Sequence, residues 1–134
     1  VAFAAPGEVV TARLYRVRPR VAFGELLSVV AEAPRSAGQA VRVPPPCPLF
    51  GSCGGCQWQH VGIEEQRRAK GAMVSRALGI APALPEAVPA GPPYGYRERA
   101  RLVVGPAGEV GFRRRRSHAS ACRSRSPGCS RWIR

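Results

Sequence analysis

Proline and glycine restrict the fold of this chain more than any other feature of its sequence. The 134 residues include 14 prolines and 15 glycines, roughly a fifth of the chain against about 12% in an average protein. Because both residues interrupt helices and strands, much of the chain is expected to form turns and linkers. The packed core is therefore expected to be small, and a chain of this length has no room for a large enzyme core.

The first regular pattern is an alternation of apolar and polar residues near the start of the chain. Over residues 9–17 the apolar side chains recur with a period of two, and a second apolar run follows over residues 21–30. This pattern indicates two or three antiparallel strands with an arginine-rich outer face, separated by a turn at Pro19. The chain begins without Met, directly in this strand-like sequence, and we expect that its N-terminus is truncated.

Two further patterns predict a helix and a hairpin, which places the chain in the α+β class. Residues 63–78 have apolar side chains at helical spacing, acids at the front and Gly79 behind, as in a helix of about four turns. Residues 96–104 and 109–112 look like two strands joined by Gly-Pro-Ala-Gly. Residues 119–134 have no acid and no usable period, as in an irregular tail. A native tail and an out-of-frame translation are both open interpretations of this segment.

The charge of the chain indicates a polyanionic partner. Twenty-one Lys and Arg residues against eight Asp and Glu give a net charge of +13. All but one of these cations are arginines, whose guanidinium groups match phosphate geometry. An arginine-rich composition also follows from a GC-rich genome. Such a bias does not lower the number of acidic residues, so it does not by itself explain the positive net charge.

Four arginines are candidates for phosphate binding. Arg97, Arg99 and Arg101 alternate along a predicted strand and would share one face, and Arg113 opens a run of four arginines. Such a stripe is suited to a nucleic-acid backbone. A solvated basic face is the alternative interpretation.

Three of the five cysteines, Cys47, Cys53 and Cys56, lie within ten residues. The odd count and the crowding favour a metal or cluster site in a reducing compartment over a disulfide framework. A glycine pair between the last two cysteines lets the backbone turn tightly enough for two thiolates to meet one inorganic core. On spacing alone, both an iron–sulfur cluster and a zinc knuckle remain open. His60 is expected to pack, with a contact to a cluster sulfur or to RNA as the alternative.

The cysteine block and the segments after it resemble one family of RNA-modifying enzymes. Three segments carry the resemblance and stand in the family's order. They are Cys-Pro-Leu-Phe-Gly-Ser-Cys-Gly-Gly-Cys-Gln-Trp-Gln-His over residues 47–60, Tyr-Arg-Glu-Arg-Ala-Arg-Leu over residues 96–102, and Gly-Phe-Arg from Gly111. They resemble the signature blocks of the iron–sulfur-containing 23S ribosomal RNA uracil-C5 methyltransferases. The strands before Pro34 are similar to the later part of a TRAM domain, a small OB-like β-barrel that binds RNA. The likeness covers about residues 1–118.

The resemblance implies a [4Fe–4S] cluster on the three clustered cysteines. It also implies structured RNA as the partner, above all ribosomal RNA, with transfer RNA as the alternative. The family's fourth cluster ligand falls at Ser126 in this chain, between Cys122 and Cys129. That ligand is therefore one of these two cysteines or is absent. The implied organisation is a partial TRAM domain (1–33), a Pro-rich linker (34–46), a cluster-binding loop and helix (47–80), a hairpin of the central domain (81–118) and the irregular tail (119–134).

Members of this family transfer a methyl group from S-adenosylmethionine to uracil C5 after a cysteine adds to C6. No Gly-rich cofactor loop follows a strand in this sequence, and no cysteine has a neighbouring base of the required context. No catalytic residue is assigned, and the chain alone is expected to be inactive, with catalytic domain and S-adenosylmethionine site beyond these residues. The alternatives are a stand-alone RNA-binding module with structural zinc and a non-functional fragment of a frameshifted gene.

Apolar runs in this chain are too short for a membrane span of about 18 residues or a secretory signal. We therefore expect a cytoplasmic protein without a membrane partner. A monomer is expected.

Overall fold

The computed structural model describes residues 1–34, 38–80, 87–89, 91–94 and 99–117. These residues form one helix and two separate two-stranded antiparallel sheets, so the α+β class is confirmed. No closed barrel is present in this part of the chain. The chain divides into a first unit, Val1–Pro44 with His60–Val88, and a second unit, Pro45–Gln59 with Pro89–Arg134.

The first sheet has the two antiparallel strands that the alternating pattern predicts. Strand β1 (Val9–Arg18) pairs with β2 (Val21–Ala31), and the register is irregular at three points. Leu14 faces Gly24, where an added Cβ would lie 3.0 Å from the Leu14 side chain. The burial alternation covers only the start of β1, and Leu14 is 55% exposed. The sheet therefore leaves much of its apolar surface uncovered within the described residues.

The predicted helix is confirmed with both of its ends. Helix α1 (Ile63–Leu78) ends at Gly79, whose φ of 66° is the left-handed conformation that favours glycine at a helix C-terminus. Ion pairs three residues apart, Glu64 with Arg67 and Glu65 with Arg68, support its first turns. Each such pair contributes about 0.2–0.5 kcal/mol.

The side chains that α1 buries are not its large apolar ones. Gly71 and Ser75 are buried, and the Ser75 hydroxyl donates to the carbonyl oxygen of Gly71 at 2.9 Å. Met73, Val74 and Leu78, which produce the helical apolar pattern, are about half exposed or more. No helix in the described residues is long and apolar enough to cross a membrane.

The core of the first unit is small, as the proline and glycine content predicts. Ala5, Val41 and Val61 form it, with Ala33 packed alongside. The backbone around Val41 pairs with the segment just before α1, because the Gly62 amide donates to the Val41 carbonyl at 2.8 Å. Part of the proline-rich segment 34–46 is thus packed into the first unit.

An ion pair fixes the start of the chain against that segment. The Glu8 side chain is fully buried and accepts from Arg42 Nη2 at 2.8 Å and from the Ala5 amide at 2.7 Å. Arg42 also donates to the Phe3 carbonyl at 2.9 Å. These bonds from Arg42 hold the pKa of Glu8 below its ordinary value. The carboxylate is therefore ionised and satisfied by hydrogen bonds despite its burial.

The second unit contains the predicted hairpin in a shorter form. Strands β3 (Val103–Val104) and β4 (Val110–Gly111) are antiparallel. The turn closes with a bond of 2.7 Å from the Gly105 amide to the Glu109 carbonyl, and Gly108 has a φ of 77°. The predicted strand over residues 96–104 is too long, because residues 99–102 lie outside β3. Residues 95–98 fall outside the described part of the chain.

Candidate metal and RNA site

The three clustered cysteines lie on a tightly turned loop, residues 47–56, here called the cysteine loop. The Phe50 amide donates to the Cys47 carbonyl at 3.0 Å, and the Cys53 amide donates to the Leu49 carbonyl at 2.9 Å. Gly51, within the second of these turns, has a φ of 92°, a conformation that glycine adopts without strain. Consecutive turns of this kind reverse the chain within a few residues.

The thiols of the cysteine loop differ in exposure. Cys47 and Cys53 are buried, Cys56 is exposed, and no disulfide joins any of the three within the described residues. The Gly55 amide donates to Cys53 Sγ at 3.4 Å, and the buried Gln59 side chain accepts from the Cys47 amide at 3.2 Å. An amide that donates to a sulfur, as the Gly55 amide does, stabilises a thiolate and tunes a cluster that it binds.

Close packing favours glycine at both positions of the pair in the cysteine loop. A Cβ added at Gly54 would lie 2.9 Å from the backbone oxygen of Arg113, and one at Gly55 would lie 3.3 Å from the Phe112 ring and 3.5 Å from Cys53 Sγ. Three cysteines on one loop, an amide directed at one of their sulfurs and a tight glycine turn suit thiolate ligation.

No three Cys, His, Asp or Glu side chains within the described residues lie close enough together to hold a metal ion. The expected ligands Cys47, Cys53 and Cys56 share one loop without converging into such a group. The other candidates, Cys122, Ser126 and Cys129, fall outside the described residues.

The cysteine loop pairs with the arginine run, residues 113–116. Cys53 and Arg114 form an antiparallel bridge, with one bond of 2.9 Å from the Gly54 amide to the Arg113 carbonyl and another of 3.0 Å from the Arg115 amide to the Ser52 carbonyl. Sequence reasoning missed this pairing. The glycine pair is the local signal of it, because Gly-Gly marks a close approach of another backbone.

The structure brings together two of the four predicted RNA-binding arginines. A cavity of about 220 Å³ is lined by Gly54, Arg101, Val103, Phe112 and Arg113. Arg99, also exposed, does not line it, and Arg97 falls outside the described residues. Because residues 99–102 are not in a strand, the expected alternation of these arginines along one strand face is wrong for Arg99 and Arg101.

His60 packs in the first unit. Its side chain is 3% exposed, its ring meets Phe3 edge-on with 5.8 Å between centroids, and its Nε2 lies 3.4 Å from the Ala4 carbonyl oxygen. Burial lowers the pKa of His60. The neutral ring is therefore favoured, as expected for a packing histidine.

Comparison with known proteins identifies relatives of this chain. The chain is 36% identical over 127 residues, 88% of its length, to an uncharacterised RNA methyltransferase of Gloeobacter violaceus. It is 36% identical over 143 aligned positions, 97% of its length, to the 23S rRNA (uracil(1939)-C(5))-methyltransferase of Nitrosospira multiformis. The same enzyme of Salmonella paratyphi A is 49% identical over 63 residues, 47% of the chain.

No protein-family model matches the chain. The chain spans 26% of the Gloeobacter protein and 31% of the Nitrosospira protein, about a quarter to a third of their length. The similarity nevertheless extends over nearly all of the chain and includes the cysteine loop and the arginine run. The chain belongs to the RNA (uracil-C5)-methyltransferase family.

Proposed function

We propose that this chain is the RNA-binding and iron–sulfur part of an RNA (uracil-C5)-methyltransferase that acts on ribosomal RNA with S-adenosylmethionine. The observation that carries the proposal is the pairing of the cysteine loop with the arginine run. It joins a loop suited to thiolate ligation with the strongest local positive charge of the chain. The names of the relatives support the reaction class and the ribosomal substrate.

Cys47, Cys53 and Cys56 are the residues that would hold a [4Fe–4S] cluster. A bound cluster would supply a cross-link that fixes the cysteine loop, since several thiolates attach to one inorganic core. The amide of Gly55, directed at Cys53 Sγ, would keep that sulfur in its ligating form. Cys122 or Cys129 would supply the fourth thiolate where one is present.

Arg97, Arg99, Arg101 and Arg113 would bind the phosphates of structured RNA. Arg99, Arg101 and Arg113 are exposed, and the net charge of +13 attracts RNA over a distance. Phosphate contacts of this kind position an RNA without reading its bases. The chain would thus hold the RNA for methyl transfer, which requires a cysteine nucleophile and a cofactor pocket not assigned to these residues.

The first unit would contribute a partial TRAM domain over residues 1–33. The antiparallel pair β1 and β2, with large apolar side chains exposed at Leu14, Val17 and Leu27, supports this assignment. An incomplete barrel leaves such surface for further strands to cover. The Pro-rich linker (34–46), the cluster-binding loop with its helix (47–80) and the central-domain hairpin (81–118) complete the proposed organisation.

Metal content and RNA binding test the proposal together. The chain, produced and purified without oxygen, is expected to be brown, to contain iron and acid-labile sulfide, and to bind a ribosomal RNA stem-loop with an affinity that falls steeply with salt. Stoichiometric zinc without sulfide, together with RNA binding, would favour a zinc-containing RNA-binding module. Failure to bind RNA would contradict the proposed function itself.

A further inference from the structure

A small cavity lies beside the cysteine loop within the second unit. Its volume is about 220 Å³, and its lining is Gly54, Arg101, Val103, Phe112 and Arg113. Pockets for drug-sized ligands measure about 300–1,000 Å³. The cavity is thus suited to a small ligand with one ring and one charged group rather than to a large molecule.

The lining combines two charged side chains with an apolar wall. Arg101 and Arg113 are exposed, Val103 and Phe112 are half-buried, and no acid is among the described residues that line the cavity. Guanidinium groups bind phosphate oxygens through paired hydrogen bonds. Aromatic and aliphatic side chains bind the face of an unpaired base. A nucleotide is a ligand that carries both of these groups.

Hydrogen bonds and close packing hold the wall of the cavity in place. The Gly54 amide donates to the Arg113 carbonyl at 2.9 Å, so that the backbone from which the Arg113 side chain extends is tied to the cysteine loop. Phe112 packs on the buried Cys53. A site whose backbone is already ordered loses less entropy when it binds a ligand.

We propose that this cavity is a subsite for one unpaired RNA nucleotide. The phosphate lies between the guanidinium groups of Arg101 and Arg113, and the base lies against Val103 and Phe112. The proposal rests on the proposed RNA-binding function and adds that the chain binds an unpaired nucleotide of the RNA. A base inside an A-form duplex is stacked and paired, and it cannot enter such a cavity.

Two arginines two residues apart provide a matched comparison. Arg99→Ala and Arg101→Ala remove the same charge from exposed positions, but only Arg101 lines the cavity. Fluorescence anisotropy would measure the affinity of each variant of the 134-residue chain for an RNA stem-loop that has an unpaired loop. Arg101→Ala and Arg113→Ala are each expected to weaken binding several-fold more than Arg99→Ala. The double variant is expected to lose less than the product of the single losses, because both side chains bind one phosphate.

The contribution of the base is tested in the RNA, which leaves the protein fold unchanged. The same stem-loop with abasic loop positions keeps every phosphate, and it is expected to bind about fivefold or more weakly, as loss of base stacking implies. Equal losses for Arg99→Ala and Arg101→Ala, or undiminished binding of the abasic RNA, would overturn the nucleotide subsite while RNA binding stands. Absence of RNA binding by the unaltered chain would overturn this proposal and the proposed function together.

Discussion

The amide of Gly54 lies 2.9 Å from the carbonyl oxygen of Arg113 and donates a hydrogen bond to it. A second bond, from the Arg115 amide to the Ser52 carbonyl, runs in the opposite direction at 3.0 Å. The cysteine loop and the arginine run thus form one short ladder. These backbone hydrogen bonds join the loop that carries the three cysteines to the segment with the densest positive charge of the chain.

A side chain at Gly54 is expected to break this ladder. In Gly54→Ala the added Cβ would lie 2.9 Å from the Arg113 carbonyl oxygen, and the required backbone shift should cost about 1–3 kcal/mol. Urea denaturation would measure the loss in the free energy of unfolding. Gly91→Ala is the control, because no heavy atom lies within 4 Å of a Cβ there, and it should change stability by less than about 0.5 kcal/mol. Equal stability of the two variants would contradict the pairing.

A cysteine at position 126 is expected to increase iron binding. Ser126 stands where the family's fourth ligand is expected, and a fourth thiolate completes the coordination of a [4Fe–4S] cluster. Ser126→Cys, purified without oxygen, should contain more iron and sulfide per chain and lose its colour more slowly in air. Ser124→Cys adds the same thiol two residues away and serves as the control. A similar gain in both variants would mean that position 126 is not the ligand position.

Removal of the arginines before β3 is expected to weaken the salt dependence of RNA binding. Replacing Arg97, Arg99 and Arg101 together by Ala should reduce the slope of log K against log salt by up to about 2.7, since each phosphate contact contributes about 0.9. Binding at several salt concentrations measures this slope.

The control for the salt slope removes three arginines from α1 instead. Arg67, Arg68 and Arg76 carry the same total charge, but Glu64 and Glu65 pair with the first two. Their replacement by Ala should change the slope less. An equal change would mean that overall charge, and not these three arginines, determines the salt dependence.

The stability of the first unit is expected to fall at mildly acidic pH because of His60. Burial lowers the pKa of His60 in the folded chain, so the unfolded chain binds a proton more readily. The free energy of unfolding is not reduced by His60 above the ordinary histidine pKa of about 6.5. It falls by up to about 1.4 kcal/mol per pH unit as the pH decreases from there towards the pKa of His60 in the folded chain.

Urea unfolding at pH 7.5 and 5.5 measures this loss of stability. His60→Gln should remove most of the pH dependence, and His118→Gln, which alters the other histidine of the chain, should leave it in place. A pH dependence that survives in His60→Gln would assign the effect to another group.

Local signals in the sequence were sufficient for the regular elements. The alternation over residues 9–17 predicted β1, and Gly79 after a helical pattern predicted the end of α1, because these features act on residues a few positions apart. The resemblance of the cysteine block to one family was equally local, and the relatives support that family.

Contacts between distant segments were decided only by the tertiary structure. The cysteine loop pairs with residues about sixty positions further along the chain, and no short-range pattern specifies which backbone approaches Gly54. The helical spacing of Met73 and Leu78 likewise predicted α1 correctly, yet the helix buries Gly71 and Ser75. Which face of a helix is covered depends on the segments that reach it. For this chain the sequence alone therefore determined the elements, their order and the family, whereas the meeting of Arg101 and Arg113 at one cavity required the folded chain.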